Sequence, residues 1–358
     1  MAEIQTNKSL LNNVAIIRPL LIVLLVFYHA FVIYQGGWGA EGVPDIKTYW
    51  WLDKLSYAFM LETFVFVSGY VFGFQVRTKG EGKLLAKNLF WNKFKRLIVP
   101  SMVFSLVYIL LFQDISQDSV SKTIFSIIEG VGHMWFLPML FWCFVGIWII
   151  EKLRLKPAIV IPLLILCSIV SFIPLPLQLN AAMYFMLFFY VGYLFQRQNL
   201  NLCKFYTYPY AISLVLAFAI LFPSLTIFRE QIDSIIINNG GYLIENQLVG
   251  KFVEHSVLNI AKMMYSSVGL AMLFVIIGII EKRLITPLPQ WFVRIGGLCM
   301  GVYLFQQFIL MGLYRYTALP SIIGYFWLPW VGFVVALVVS LGLSYMMRLT
   351  KVGRFLIG

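Results

Sequence analysis

Arg18 and His29 stand eleven residues apart in an apolar stretch, 14–34, long enough to cross a bilayer. Eleven steps of about 100° come to roughly three turns plus 20°, so both side chains fall on one helix face, about 16 Å apart along the axis. An ionisable group in hydrocarbon costs about 2.5 to 3.5 kcal/mol even on the lenient insertion scale, so each calls for a partner or a function. Arginine offers a fixed cation for an anionic ligand, and imidazole offers a proton acceptor near neutral pH. As bare side chains, Arg18 also reads as a snorkelling anchor and His29 as hydrogen-bonding glue between helices. Glu62 joins them because it lies early in a second apolar stretch running inward from the outer surface, while His29 lies near the outer end of the first. Both then sit roughly 7 to 11 Å below the outer boundary at 1.5 Å per residue. A carboxylate beside an imidazole fixes its tautomer and raises its basicity, as a general base requires. The alternative for Glu62 is a Ser, Tyr or backbone partner.

The elements that must hold these groups are transmembrane helices. Of the 358 residues, 61% are hydrophobic and 12% charged, against roughly 45 to 50% and 25% in soluble domains. Apolar runs at 14–34, 55–76, 97–112, 131–150, 157–173, 181–196, 205–224, 262–280, 295–314 and 326–347 predict ten spans. The expected fold is an all-α membrane protein, one polytopic domain over 1–358, with both termini cytoplasmic. The first span is longer than a signal-peptide core of about 7 to 15 residues and carries His29, so it is retained as a helix. A net charge of +12 would suit nucleic acid, but the basic residues gather in alternate short loops, as the positive-inside rule requires. Lipid, not nucleic acid, is the expected partner. Cys143, Cys167, Cys203 and Cys299 form no CxxC and read as packing residues, and with three histidines and no cluster at ligand spacing no metal is expected.

The longest outer loop is expected at 226–261, around an Asn238-Asn239-Gly240-Gly241 turn. It reads as a lid, as a connector, or as a segment resting on the interface through Ile235-Ile236-Ile237 and Tyr242-Leu243-Ile244. On the inner side, Arg18 and the basic loop from Arg77 to Arg96 either hold ligand phosphates or set topology and touch anionic lipid. The separation of about 16 Å between Arg18 and His29 suits a long, thin ligand with an anionic head at the inner surface and a reactive end deep in the membrane. An acyl-CoA has that shape.

Four segments resemble the acyltransferase 3 family of membrane proteins. Arg18-Pro19-Leu20-Leu21-Ile22-Val23-Leu24-Leu25-Val26-Phe27-Tyr28-His29 is similar to its Arg-x10-His signature. Glu62-Thr63-Phe64-Val65-Phe66-Val67-Ser68-Gly69-Tyr70 resembles its acidic-x-Phe-Phe-x-x-Ser-Gly-aromatic segment. Lys93-Phe94-Lys95-Arg96-Leu97-Ile98-Val99-Pro100 resembles its basic-x-x-Arg-x-x-x-Pro run, and His133-Met134-Trp135-Phe136-Leu137-Pro138 its Trp-Phe-Leu-Pro segment. They occur in family order. The C-terminal half matches through hydropathy and through Gly301-Val302-Tyr303-Leu304-Phe305-Gln306, where Gln306 replaces the family's usual His and Lys93 stands where Arg is commoner.

The resemblance implies transfer of an acyl group, usually acetyl from cytosolic acetyl-CoA, to a hydroxyl of an extracytoplasmic or lipid-linked glycan. It also implies a multi-pass protein of the cell membrane, without the SGNH domain that many members carry, delivering the acyl group itself or through a separate partner; a homo-oligomer is also open. On this reading His29 is base or acyl carrier, with Glu62 orienting it. Arg18, Lys93 and Arg96 bind the CoA phosphates, and Ser68 lines the acyl path. Trp135 and His133 help bind the acceptor, although His133 reads more simply as a solvated histidine and Trp135 as an interfacial belt residue. Two rival readings are a glycan or small-molecule exporter and a sensor or scaffold with a degenerate site.

Overall fold

The structure, a computed structural model, describes residues 2–40, 42–113, 119–238, 247–284 and 288–357. Those residues form α1 (Ala2–Phe31), α2 (Lys47–Tyr57), α3 (Met60–Lys79), α4 (Ala86–Lys93), α5 (Val99–Phe112), α6 (Val120–Glu129), α7 (Phe136–Lys152), α8 (Pro157–Ile169), α9 (Leu179–Arg197), α10 (Tyr208–Asn238), α11 (Gln247–Arg283), α12 (Gln290–Tyr316), α13 (Leu319–Leu349) and α14 (Lys351–Ile357). Among the described residues there is no strand. An all-helical answer follows from the solvent, because a helix satisfies its backbone hydrogen bonds internally where no water is available.

Nine apolar helical segments among the described residues are long enough to span: Asn13–Gln35, Lys47–Lys79, Ala86–Phe112, Gly132–Lys152, Leu179–Arg197, Tyr208–Ser234, Phe252–Arg283, Gln290–Tyr316 and Leu319–Leu349. The tenth expected span is the shorter α8. Helix directions argue for counting it. A Cβ on Gly296 would lie 3.7 Å from Pro19, and ten residues further along both helices His29 meets Gln306, so α1 and α12 run parallel. In the same way a Cβ on Gly69 would meet the Phe189 carbonyl and one on Gly73 the Tyr193 carbonyl, so α3 and α9 run parallel. Parallel neighbours need an even number of reversals between them. Both pairs have it when α8 crosses the membrane, and neither does when it does not.

Two compact units divide the chain, one made of Met1–Met60, Phe94–Trp135 and Glu281–Gly358, the other of Leu61–Lys93 and Phe136–Ile280. In the first, α12 and α13 form an antiparallel hairpin in which Gly297 faces Arg348, Gly301 faces Ser344 and Gly332 faces Tyr314. In this unit α5 is preceded by a π-helical turn, Phe94–Ile98. Pro100, lacking an N–H, cannot bond the Arg96 carbonyl, and widening the turn is one way a helix absorbs that loss. In the second unit, Gly69 and Gly192 let α3 and α9 approach backbone to backbone, the usual use of small residues between membrane helices.

The outer loop expected at 226–261 is mostly helix. α10 and α11 have 31 and 37 residues, or about 46 and 56 Å at 1.5 Å per residue, against a hydrocarbon core of roughly 30 Å. Hydropathy marks where apolar solvent ends, and these helices continue past that point. Asn239, Gly240, Gly241 and the Tyr242-Leu243-Ile244 cluster lie outside the described residues.

Candidate functional site

His29 lies in the last turn of α1, buried. The carbonyl oxygens of a helix's last turn lack intrahelical donors, and the one on His29 accepts a 2.9 Å bond from the Trp38 indole N–H. Trp38 holds φ +62°, a conformation a bulky side chain adopts only when its surroundings fix it. The imidazole is gripped at both nitrogens. Nδ1 lies 3.0 Å from Gln306 Oε1 and Nε2 lies 3.2 Å from Gln307 Nε2. These neighbouring glutamines of α12 are both buried.

Gln307 reaches a second imidazole. Its Oε1 lies 2.6 Å from His133 Nδ1 and accepts a 3.2 Å bond from the His133 backbone N–H. The other His133 nitrogen lies 3.2 Å from the Leu304 carbonyl oxygen, and the Tyr303 hydroxyl donates to the His133 carbonyl. Both ring nitrogens of His133 therefore face oxygen acceptors; a neutral ring satisfies one of them and an imidazolium both. The ring centroids of His29 and His133 are 6.3 Å apart.

The turn carrying His133, Gly132–Trp135, is short and 3₁₀-like. Gly132 takes φ +59°, and a Cβ there would sit 3.1 Å from Gln307 Oε1, so glycine suits both the conformation and the close approach. Ser101 and Ser105 of α5 pin the segment by donating to the Met134 carbonyl and accepting from the Val131 N–H. His133 is buried, which corrects the expectation of a solvated histidine. Hydropathy put it at a helix end; tertiary packing closes over that end.

Glu62 belongs to the other unit and is fully buried. Tyr184 donates to its Oε1 at 3.2 Å, and the Lys262 ammonium lies 3.4 Å from the same oxygen. Oε2 has no partner among the described residues. Lys262 also sits over the Tyr184 ring, and three residues along α11 Tyr265 accepts from Arg229. Within its own unit Glu62 anchors this cluster, while in the first unit two amides meet the nitrogens of His29. Ser68 donates to the Phe64 carbonyl of its own helix at 2.9 Å. That bond occupies its proton.

Arg18 is exposed on α1, and Arg96 is exposed in the π-helical turn; neither has a hydrogen-bond or ion-pair partner among the described residues. Both belong to the first unit. Lys93 belongs to the second, where its ammonium lies 3.6 Å from the centre of the Phe144 ring. Trp135 is half-buried at the end of the His133 turn. Among the described residues no group of His, Cys, Asp and Glu has the make-up of a metal site.

Sequence reasoning overlooked Gln307, Lys262 and Tyr184, and noted Gln306 only as a departure from a pattern. It also passed over Asp53, which is buried on α2 with Oδ1 unpartnered among the described residues. Paired glutamines in an otherwise apolar run, Leu304-Phe305-Gln306-Gln307-Phe308, were the available signal, since uncharged polar groups in a span need partners just as charges do.

A family described as an acyltransferase domain matches residues 11–349, nearly the whole chain and both compact units. Comparison with curated proteins and with solved structures finds no match.

Proposed function

The chain belongs to the acyltransferase 3 family, and from that premise we propose that it transfers an acyl group, acetyl from cytosolic acetyl-CoA, to a hydroxyl of an extracytoplasmic or lipid-linked sugar. The observation carrying this reading is the buried His29 imidazole held by amides at both nitrogens. Such a group is suited to general-base work, which needs a neutral, oriented acceptor for a hydroxyl proton. His29 takes the proton as the sugar oxygen bonds to the thioester carbonyl carbon. The tetrahedral intermediate then expels the CoA thiolate, which recovers the proton from His29, leaving the sugar ester and free CoA.

Arg18 lies about 16 Å back along α1 from His29, and its guanidinium suits the phosphates of a donor entering from the cytosol, with Arg96 in support. Lys93, seated on Phe144, serves less directly, as a source of positive potential. Gln306 Nε2, buried with no acceptor among the described residues, suits a carbonyl oxygen arriving beside His29. Acceptor binding falls to the His133–Trp135 turn beside His29. The cell membrane is the expected location.

Purified protein in liposomes, supplied with labelled acetyl-CoA and candidate lipid-linked sugars, tests the reading. Free CoA and labelled sugar in equal amounts are expected. Flux of sugar across the membrane without any CoA release would overturn it in favour of an exporter.

A further inference from the structure

The two glutamines at His29 are not equivalent, and the difference lies in what fixes each amide the right way round. A backbone N–H only donates. The His133 N–H, 3.2 Å from the Gln307 side chain, therefore requires the Gln307 oxygen on the His133 side. Its nitrogen is then turned toward His29. An amide nitrogen donates and does not accept, so the 3.2 Å contact makes His29 Nε2 the acceptor. A neutral imidazole with an accepting Nε2 carries its proton on Nδ1, which matches the 3.0 Å approach of Nδ1 to Gln306 Oε1. The Gln306 amide has no such anchor. Its Nε2 touches no acceptor among the described residues, so it can turn round and serve either tautomer.

We propose that Gln307 is the positioning residue that selects the Nδ1–H tautomer of His29, with the backbone N–H of His133 as the fixed reference, and that Gln306 follows this choice. Nε2 is then the basic atom. The hydroxyl that reacts replaces the Gln307 amide on Nε2, the longer of the two contacts to the ring, and meets a lone pair already in place. The tautomer assignment stands on hydrogen-bond polarity alone. The catalytic consequence rests on the acyl-transfer reading.

Nitrogen-15 NMR of histidine-labelled protein in lipid nanodiscs, with the His29 signals assigned by their loss in His29→Ala, tests the assignment without substrate. Wild type should show a protonated Nδ1 and an unprotonated Nε2 at His29. Gln306→Met should keep that pattern, since Gln307 still donates to Nε2. Gln307→Met should lose it, giving the Nε2–H form or a mixture, because the Gln306 amide alone does not discriminate. In liposomes, Gln307→Met should lower kcat on the order of tenfold or more with little change in KM for acetyl-CoA.

A wild-type His29 protonated at Nε2 overturns the proposal, and this measurement needs no variant to fold. So does an Nδ1–H pattern that persists in folded Gln307→Met and is lost in Gln306→Met. Wild-type protein that carries the expected tautomer but releases no CoA with any sugar would leave the assignment intact and count against the proposed function alone.

Discussion

The proposed mechanism concentrates the chemistry at His29, so removing it should separate catalysis from folding. His29→Ala should lower acyl transfer by about 10² to 10⁴, the range attributed to a positioned base, while the protein still inserts and elutes as wild type. Turnover near wild type in liposomes would remove His29 from the mechanism. At Arg18 the expected loss is in donor binding. A charge-assisted hydrogen bond contributes about 1.5 to 3 kcal/mol, so Arg18→Ala should weaken acetyl-CoA binding by roughly ten- to over a hundredfold. Arg18→Lys should recover part of this, because an ammonium keeps the charge and loses the planar fork. Calorimetric titration with acetyl-CoA reads both. At Glu62 the expectation concerns stability. Lys262→Met would leave a buried carboxylate without its cation, a change that costs about 3 to 5 kcal/mol for buried pairs. Adding Glu62→Gln should recover most of the lost melting temperature. A single variant that melts like wild type would show that the pair is dispensable.

Helices in this protein are brought together by small residues whose absent side chains define the contact. Gly69 of α3 lies against the Phe189 carbonyl of α9, whereas Gly342 of α13 has nothing within 4 Å of where a Cβ would stand. Alanine is better than glycine in a helix by about 1 kcal/mol, so Gly342→Ala should be neutral or slightly stabilising. Gly69→Ala meets backbone instead, and overpacking of this kind costs about 1 to 3 kcal/mol. Gly69→Ala should therefore melt below Gly342→Ala when the two are compared side by side, and equal melting would refute the close crossing. The Ser68-Gly69 pair gains a physical explanation from this. Gly69 permits the crossing, while the Ser68 hydroxyl is satisfied within its own helix.

At the scale of the whole molecule, ten crossings, α8 included, should put Lys83, Arg154 and Lys351 on one side of the membrane and Thr317 on the other. Single cysteines at these positions, in a background with the exposed Cys203 changed to Ser, should react with an impermeant maleimide accordingly. Lys83 and Arg154 are separated by the third and fourth spans, so labelling them from opposite faces would break the count there. Labelling of Thr317→Cys and Lys351→Cys from the same face would break it at α13. The projecting ends of α10 and α11 belong to the same test, since a cysteine at Glu230 should label from the Thr317 side.

The all-helical fold, the apolar segments long enough to span, and the placing of Arg18 and His29 on one helix were all legible in the sequence. Hydropathy and the helical period are local quantities, and in lipid a span must satisfy its own backbone. At 226–261 hydropathy alone misplaces the helix ends, because an apolar run ends where water begins and a helix does not. The partners of His29 were decided only by tertiary structure. Gln306 and Gln307 lie 277 and 278 residues away from it, on a helix whose facing edge depends on packing against α1, and no local pattern specifies that rotation. The burial of His133 and the pairing of Glu62 with Lys262 and Tyr184 arise in the same way. A polar group in a span must find a partner, and the sequence states that need; which group answers it is settled when distant helices come into register.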